Sequence, residues 1–282
     1  MNVLTELKRH YDYALDLTDK RSRTWPMMST PMIPLGTMAV YLVVVKYGPV
    51  FMKDRPAFNL RWVLFFYNFG LVILSAYMVH EFLMTAVEAG YSLQCEVLDF
   101  SYNPSALRIL NVTWVYYVSK YIEVADTVFF ILRKKTGQIT VLHVWHHASI
   151  IFFWWFGTAY TPGGQAFFNP LLNCGVHVVM YTYYGLAALG PSLQPYLWWK
   201  KYLTKLQIIQ FVIIAIHCIY SLIIECPYPK IFAIMALSYA IILILLFANF
   251  YRKTYNRQRP MNSQGKEPAY RNGVASHKQH TE

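Results

Sequence analysis

The sequence predicts an all-α membrane protein, and three observations support this class. Hydrophobic residues make up 56% of the 282 residues and charged residues only 14%, with a mean hydropathy of +0.30. A soluble domain of this length normally carries more charge. Several apolar segments approach the ~20 residues that a helix needs to cross the hydrocarbon core of a bilayer. Basic residues collect in alternate connections between these segments.

Seven membrane helices are expected, and their ranges are 31–51, 62–84, 109–132, 139–160, 168–189, 203–224 and 231–251. The chain then divides into a polar N-terminal segment (1–30), a seven-helix membrane domain (31–255) and a tail (256–282). The tail contains Asn, Gln, Gly, Ser and Lys and few apolar residues, so we expect it to be disordered.

The basic connections predict the topology. They contain Lys53, Arg55 and Arg61; Arg133, Lys134 and Lys135; Lys200 and Lys201; and Arg252, Lys253 and Arg257. The positive-inside rule places the C-terminus in the cytosol and, with seven crossings, the N-terminus on the lumenal side. Basic residues within 1–30 oppose this assignment, but four later connections agree with it. We therefore interpret the basic residues behind the net charge of +11 as determinants of membrane orientation and as phosphate contacts. No nucleic-acid partner is expected.

The four cysteines have no metal-like spacing. Cys95 and Cys226 fall in two connections that we place on the lumenal side, where an oxidising compartment allows them to pair. Both could instead be free thiols. Cys174 and Cys218 lie within expected helices and are interpreted as small core residues.

A histidine cluster lies near the start of the fourth expected helix. His143, His146 and His147 occur at positions i, i+3 and i+4, so they share one helical face. Placing such ionisable groups in hydrocarbon costs free energy, and residues of this kind usually have a catalytic or binding role. The alternative for any one of them is a structural histidine with satisfied hydrogen bonds.

Polar residues on three other helices lie at overlapping depths in the cytosolic half. They are Lys120, Glu123, Asp126 and Thr127; Asn173 and His177, followed by Tyr181 and Tyr184; and Thr204, Gln207 and Gln210. The lumenal halves are nearly all apolar. We expect a polar chamber that opens to the cytosol and continues into an apolar blind end. Structural alternatives stay open: an ion-pair ladder for the charged residues, interhelical hydrogen bonds for the glutamines and packing for the tyrosines.

Two chemistries fit such a chamber. The His-x-x-His-His pattern also occurs in membrane di-iron desaturases and hydroxylases. Only His143, His146, His147 and His177 cluster here, and four histidines are few ligands for a site that binds two iron ions. In the second chemistry, an imidazole is the nucleophile or general base of acyl transfer. Cys174 is the only candidate thiol nucleophile.

The sequence resembles the fatty acid elongases, the very-long-chain 3-ketoacyl-CoA synthases of the endoplasmic reticulum. The resemblance covers about residues 25–255 and rests on the motifs KYIEVADT (120–127), HVWHH (143–147), NCGVHVVMYTYY (173–184) and TKLQIIQ (204–210), with KDRP (53–56) and WWKK (198–201). It implies a seven-helix membrane enzyme in which six helices enclose a narrow substrate tunnel open to the cytosol. The implied reaction joins a long-chain acyl-CoA to malonyl-CoA and yields 3-ketoacyl-CoA, carbon dioxide and CoA.

The resemblance implies roles for the candidate catalytic residues. His146 is expected to carry the acyl group, because it has a histidine neighbour on each side within the motif, and His177 completes the site. His143 and His147 would orient His146 or stabilise the oxyanion. Lys120, Glu123 and Asp126 would set protonation states or polarise the malonyl thioester.

Substrate contacts and partners follow from the same resemblance. The CoA phosphates are expected to meet Arg133, Lys134, Lys200, Lys201 and Lys205. The polar wall of the substrate site would comprise Asn173, Tyr181, Tyr184, Thr204, Gln207 and Gln210. Decarboxylation supplies the carbanion, so no metal or tightly bound cofactor is expected.

Expected partners are the lipid bilayer and the ketoreductase, dehydratase and enoyl reductase of the elongation cycle, and a homo-oligomer is left open. Residence in the endoplasmic reticulum membrane is expected from this pathway. A catalytically silent, lipid-binding relative is the remaining alternative.

Overall fold

The computed structural model describes residues 3–256, which form helices and turns without a β-strand. The α-helices of this range are α1 (Val3–Asp16), α2 (Met32–Phe51), α3 (Arg61–Glu88), α4 (Pro104–Glu123), α5 (Ala125–Leu132), α6 (Val141–Tyr160), α7 (Phe168–Ala188), α8 (Lys200–Ile223) and α9 (Lys230–Tyr251). A π-helical turn, Arg252–Asn256, follows α9. The expected disordered tail (256–282) lies outside the described residues except for Asn256.

Six of the seven expected helices each correspond to one observed helix, with ends that agree within four residues. The expected helix 109–132 is wrong as a single element, because it is divided into α4 and α5 at Val124. The backbone N–H of Thr127 bonds the carbonyl of Val124, three residues back, at 3.1 Å. This tighter turn interrupts the α-helical ladder and reorients the residues that follow.

The N-terminal segment contains a helix and a partly buried connection, residues 17–30, which we call the N-terminal strap. Only the polarity of this segment was predicted. After α1, the backbone N–H of Asp19 bonds the carbonyl of Ala159 at 2.7 Å. The side chains of Asp19 and Arg21 form an ion pair of 2.6 Å and are almost fully buried. Met28, 3% exposed, belongs to the main hydrophobic core. This segment is therefore part of the folded domain.

Within residues 3–256, four helices are long and apolar enough to cross a membrane: α2, α3, α8, and α9 with its following turn. The chain is thus a helical membrane protein. The helices α4, α6 and α7 do not reach the same mean hydropathy, because they carry the charged, histidine and amide side chains of the candidate site. Polar residues in such helices normally face the interior of a bundle.

Six helices contact one another in cyclic order. The order is α3, α4, α6, α9, α8 and α7, and α7 returns to α3. Helix α2 lies outside this ring, against α6 and α5. Residues that point into the ring come from helices distant in sequence, so the ring determines which polar side chains meet.

The connections α3–α4 and α8–α9 are joined by a disulfide between Cys95 and Cys226, whose Cα atoms are 5.4 Å apart. Nearby, Gln165 in the α6–α7 connection bonds the carbonyl of Gln94 at 3.2 Å and the backbone N–H of Glu96 at 2.8 Å. Cys174 and Cys218 are buried free thiols. Three connections are therefore held together at one end of the ring.

The disulfide should stabilise the fold. We expect Cys226→Ala to lower the free energy of unfolding by about 2–5 kcal/mol, because the bond closes a loop with a sequence separation of 131 residues. Thermal unfolding in detergent checks this, with Cys218→Ala as the matched control at a buried free cysteine. Equal midpoints for the Cys226 variant and wild type, or alkylation of Cys95 without a reductant, would contradict the assignment.

Candidate active site

The histidine cluster is positioned by the start of α6. The side-chain oxygen of Thr140 accepts the backbone N–H of His143 at 3.3 Å and caps the helix. The three histidines therefore fall in the first two turns. The ring centroids of His143 and His147 are 4.4 Å apart, and those of His146 and His147 are 5.4 Å apart.

His146 differs from its two neighbours because it lies on the wall of a cavity of about 440 Å³. Neither His143 nor His147 lines this cavity. The Nδ1 atom of His146 is buried and has no hydrogen-bond partner among the described residues. The opposite walls come from four helices and include Tyr116, Asn173, Gln210, Phe211 and Tyr239. Of the three clustered histidines, His146 is thus the one placed to meet a ligand.

A buried ion pair lies on α4. The Lys120 Nζ atom is 2.7 Å from Glu123 Oε1, and the two residues are 1% and 2% exposed. The ammonium group also lies 4.1 Å from the ring centroid of Tyr116 and donates to Asn173 Oδ1 at 3.4 Å. The charge of Lys120 is therefore surrounded by protein groups and does not itself line the cavity.

The same carboxylate connects α4 to α7. Glu123 Oε1 is 3.5 Å from His177 Nδ1 and 3.3 Å from Ser119 Oγ. One turn away, the Tyr116 hydroxyl donates to Asn173 Oδ1 at 2.7 Å. Asn173 and His177 are four residues apart and thus share one face of α7. Glu123 consequently fixes His177, which lies one turn from Asn173 and does not itself line the cavity.

His143 points to a different set of partners. Its Nε2 atom is 2.7 Å from Thr127 Oγ1, and Thr127 Oγ1 is 3.2 Å from the Tyr41 hydroxyl on α2. The ring of His147 also faces Tyr41, with the centroids 6.3 Å apart. Sequence reasoning missed Tyr41, because a lone tyrosine in an apolar span gives no pattern that distinguishes it from packing residues.

The remaining polar candidates are spread over several places. Tyr181 donates to Asp126 Oδ2 at 3.4 Å, so this carboxylate is engaged separately from Glu123. Gln207 Nε2 donates to Met180 Sδ at 3.3 Å. Gln210 lines the cavity with His146, and its buried Oε1 has no partner among the described residues.

Two further candidates lie away from the cavity wall. Thr204 is buried and contacts the Lys200 carbonyl and the Tyr255 hydroxyl, both at about 3.5 Å. Tyr184 is 39% exposed on α7. The structure therefore brings Asn173 and Gln210 to the cavity wall but not Thr204, Gln207, Tyr181 or Tyr184.

None of the five predicted basic phosphate contacts lines the cavity. Lys134 Nζ donates to the carbonyl of Lys53 at 2.8 Å. Lys201 and Lys205 lie near the ring of Tyr202, at 5.3 and 5.6 Å from its centroid. Arg133 follows α5 and Lys200 begins α8, so both lie at the end of the ring opposite the disulfide.

A second cavity, of about 540 Å³, continues from the first toward the disulfide end. The expectation of an apolar blind end stays a prediction: most residues of this wall are apolar, but Thr161, Gln165, His217 and Ser221 add polar groups. His217 Nε2 is 2.9 Å from Gln165 Nε2 and 3.2 Å from the carbonyl of Leu93. Polar side chains occur here because they bind the backbone of the connection that closes this end.

The histidines do not form a metal site in the described part of the chain. Within residues 3–256, no group of three or more His, Cys, Asp and Glu side chains is arranged to hold a metal ion. Two of the four clustered histidines bind other protein groups, His143 through Thr127 and His177 through Glu123. This geometry gives no support to the di-iron alternative.

Comparison with known proteins decides the family. The chain matches the ELO (GNS1/SUR4) family over residues 26–263. It belongs to this family. The chain is similar to very long chain fatty acid elongase 4 of Homo sapiens, with 46% identity over 257 residues, 91% of this chain and 82% of the relative. It is also similar to elongase 7 of Rattus norvegicus, with 43% identity over 252 residues, 88% of this chain and 90% of the relative. The resemblance found in the sequence is confirmed.

The contact between Thr127 and His143 can be tested by stability. We expect Thr127→Val, which keeps the side-chain shape, to destabilise the protein by about 1–3 kcal/mol, because it leaves His143 and Tyr41 without a buried partner. Unfolding in detergent measures this. Thr182→Val is the matched control, since the Thr182 hydroxyl is exposed and bonds only the Val178 carbonyl. Equal effects of the two substitutions would contradict the assigned contact.

The buried ion pair of Lys120 and Glu123 can also be tested by stability measurements. Lys120→Met should cost about 3–5 kcal/mol, because it leaves the Glu123 carboxylate buried without its main partner. The double variant Lys120→Met/Glu123→Gln should recover part of this loss. Arg23→Met is the control, since its ion pair with Asp16 is solvent exposed. Unfolding free energies that simply add in the double variant would show that the two charges do not interact.

Proposed function

We propose that this chain is the condensing enzyme of fatty acid elongation, which joins a long-chain acyl-CoA to malonyl-CoA and releases 3-ketoacyl-CoA, CO₂ and CoA. Family membership and the names of its relatives support the reaction. One structural observation carries the assignment of the site: among the three clustered histidines, His146 alone lines the cavity.

The proposed architecture is a seven-crossing protein of the endoplasmic reticulum membrane, in which six helices surround a substrate tunnel. The cyclic contacts of α3, α4, α6, α9, α8 and α7 support the enclosure. The bond from Asp19 to Ala159 brings the N-terminal strap to the same end as the Cys95–Cys226 disulfide. The basic connections lie at the other end. Both features favour a lumenal N-terminus and a cytosolic C-terminus.

The first step is acyl transfer to His146. The unprotonated ring nitrogen attacks the thioester carbonyl, the C–S bond breaks, and the CoA thiolate takes a proton from solvent. His177 does not line the cavity, but it interacts electrostatically with His146. In this proposal it moves within reach and offers a hydrogen bond to the carbonyl oxygen as negative charge develops. Glu123 supports this role, because its carboxylate holds His177 Nδ1 at 3.5 Å.

The second step is carbon–carbon bond formation. Loss of CO₂ from malonyl-CoA leaves its electron pair on C2 of the remaining acetyl-CoA unit. This carbon attacks the acyl group on His146, and the imidazole leaves as a neutral ring. One proton is consumed overall, by the released CoA. The chemistry requires no metal or redox cofactor, and we propose that none is tightly bound.

The surrounding residues have supporting roles in this proposal. Lys120 and Glu123 form a neutral pair that sets the position of His177 and Asn173, rather than contacting the malonyl group directly. His143 and His147 orient the start of α6 through Thr127 and Tyr41. Asp126 positions Tyr181.

The CoA group and the acyl chain of the acyl-CoA would occupy opposite ends of the ring. The CoA phosphates meet the basic residues at the cytosolic end, which are Arg133, Lys134, Lys200, Lys201 and Lys205. The acyl chain extends along the two cavities toward the lumenal connections. The 3-ketoacyl product then passes to a ketoreductase, a dehydratase and an enoyl reductase in the same membrane.

Turnover by purified protein in detergent tests the function. We expect radiolabelled malonyl-CoA and a panel of acyl-CoAs to give 3-ketoacyl-CoA without added metal or reductant. His146→Ala should abolish the product and His177→Ala should lower it by about 10²-fold or more. His80→Ala is the matched control, because the His80 side chain is 61% exposed.

Three outcomes would contradict parts of this proposal. No turnover of any acyl-CoA by folded wild type would favour the silent, lipid-binding alternative. Two bound irons per chain would favour the desaturase alternative. Full activity of His146→Ala would show that another residue carries the acyl group.

A further inference from the structure

The passage between the two cavities is formed by few residues. Both cavities are lined by Phe153 and Trp154 of α6, Asn169 of α7 and Ala236 of α9. Three of these side chains are apolar, whereas Asn169 is a carboxamide. Any chain that extends from His146 into the second cavity must pass this side chain.

The amide of Asn169 makes no hydrogen bond within the described part of the chain. Its Oδ1 atom is buried without a partner, and its nitrogen makes no bond to another residue. The other amides on the same side of the cavities are engaged: Gln165 with Gln94, Glu96 and His217, and Asn173 with Tyr116 and Lys120. Asn169 as a whole is half-buried, but a buried amide oxygen without a partner is unfavourable, so its partner is expected from a ligand.

The position of Asn169 along a bound chain can be estimated. Asn169 and His177 are eight residues apart on one face of α7, which corresponds to a rise of about 12 Å. An extended acyl chain with C–C bonds of about 1.5 Å advances by about 1.25 Å per carbon along its axis. About ten carbon atoms therefore span this distance. The amide therefore faces the acyl chain near its tenth carbon.

We propose that Asn169 is a specificity-determining residue that selects acyl chains with a hydroxyl group near the tenth carbon over saturated chains. The inference rests on the proposed function, which places the acyl carbon at His146 and His177. A hydroxyl both donates and accepts, so it satisfies either end of the amide, whichever way the amide is oriented. A methylene satisfies neither, and its insertion leaves the amide desolvated.

The aromatic neighbours strengthen this selection. Phe153 and Trp154 line the passage on the α6 side, so the surface beside the amide is mostly apolar. A site built to bind a polar group discriminates more strongly against an analogue that lacks this group than an apolar site discriminates by size. The chemical class of ligand is therefore an acyl thioester with a mid-chain hydroxyl.

The test compares three acyl-CoAs of equal length: stearoyl-CoA, 10-hydroxystearoyl-CoA and 5-hydroxystearoyl-CoA. For full-length wild type in detergent, we expect kcat/KM to be highest for the 10-hydroxy chain. Asn169→Leu should lower the ratio of the 10-hydroxy to the stearoyl rate constant by on the order of 10-fold. The 5-hydroxy to stearoyl ratio should not change, because that hydroxyl lies several carbons from Asn169.

Controls separate selection from a loss of structure. Asn169→Ala should give the same change of ratio without added side-chain volume, and Asn169→Ser should restore part of it. Asn249→Leu, an exposed asparagine on α9, should leave both ratios at the wild-type value. A structural defect would instead lower the rates for all three substrates together.

Two results would overturn the inference in distinguishable ways. If wild type elongates stearoyl-CoA, but the ratio of the 10-hydroxy to the stearoyl rate constant in both Asn169→Leu and Asn169→Ala equals the wild-type ratio, then Asn169 does not select the chain and the proposed function stands. If folded wild type elongates none of the three substrates, the proposed function itself fails, and this inference fails with it.

Discussion

The rest of the site depends on the pairing of the Glu123 carboxylate with Lys120 and His177. A charged group in the interior of an apolar helix bundle must be paired, because removal from water costs several kcal/mol for each ion. Lys120 supplies the opposite charge from the same helix at 2.7 Å, and His177 supplies a contact from α7 at 3.5 Å. Satisfying one carboxylate therefore fixes the distance and rotation between two helices of the ring.

Several features of the cavity follow from this pair. With Lys120 fixed, its ammonium group rests on the Tyr116 ring and reaches Asn173, and these two residues form part of the cavity wall. The cavity surface therefore presents a phenol and an amide, while the full charges lie behind it. A neutral wall of this kind admits a long apolar chain, which an exposed ammonium or carboxylate would disfavour.

The histidine cluster shows how much of the site is predictable from sequence. Its spacing correctly predicts a shared face of a helix, and the capping Thr140 lies where the helix starts. Spacing does not reveal which ring meets the cavity, because that depends on α2 and α5 on one side and on α8 and α9 on the other. Tyr41, the partner of Thr127, is 86 residues away in sequence.

Other differences have similar physical causes. The helix ends were predictable because hydrophobic length is a local property, but the break at Val124 depends on side chains that turn inward to make tertiary contacts. The polar groups of Gln165 and His217 in this mainly apolar cavity were not predicted, because both residues lie at or near connections, where polar residues are usually solvated. Here they bind the backbone of a neighbouring connection instead. Asn169 lies within the expected helix 168–189, and the sequence alone does not show that it faces the two cavities.

The most direct measurement of the central claim is acylation without the second substrate. Purified protein would be mixed with a long-chain acyl-CoA in the absence of malonyl-CoA, quenched rapidly, and analysed for free CoA and for the mass of each histidine and cysteine peptide. The account predicts release of close to one equivalent of CoA and an acyl group on His146. An acyl group on Cys174, or turnover with malonyl-CoA but no CoA release before it is added, would contradict the acyl-histidine mechanism.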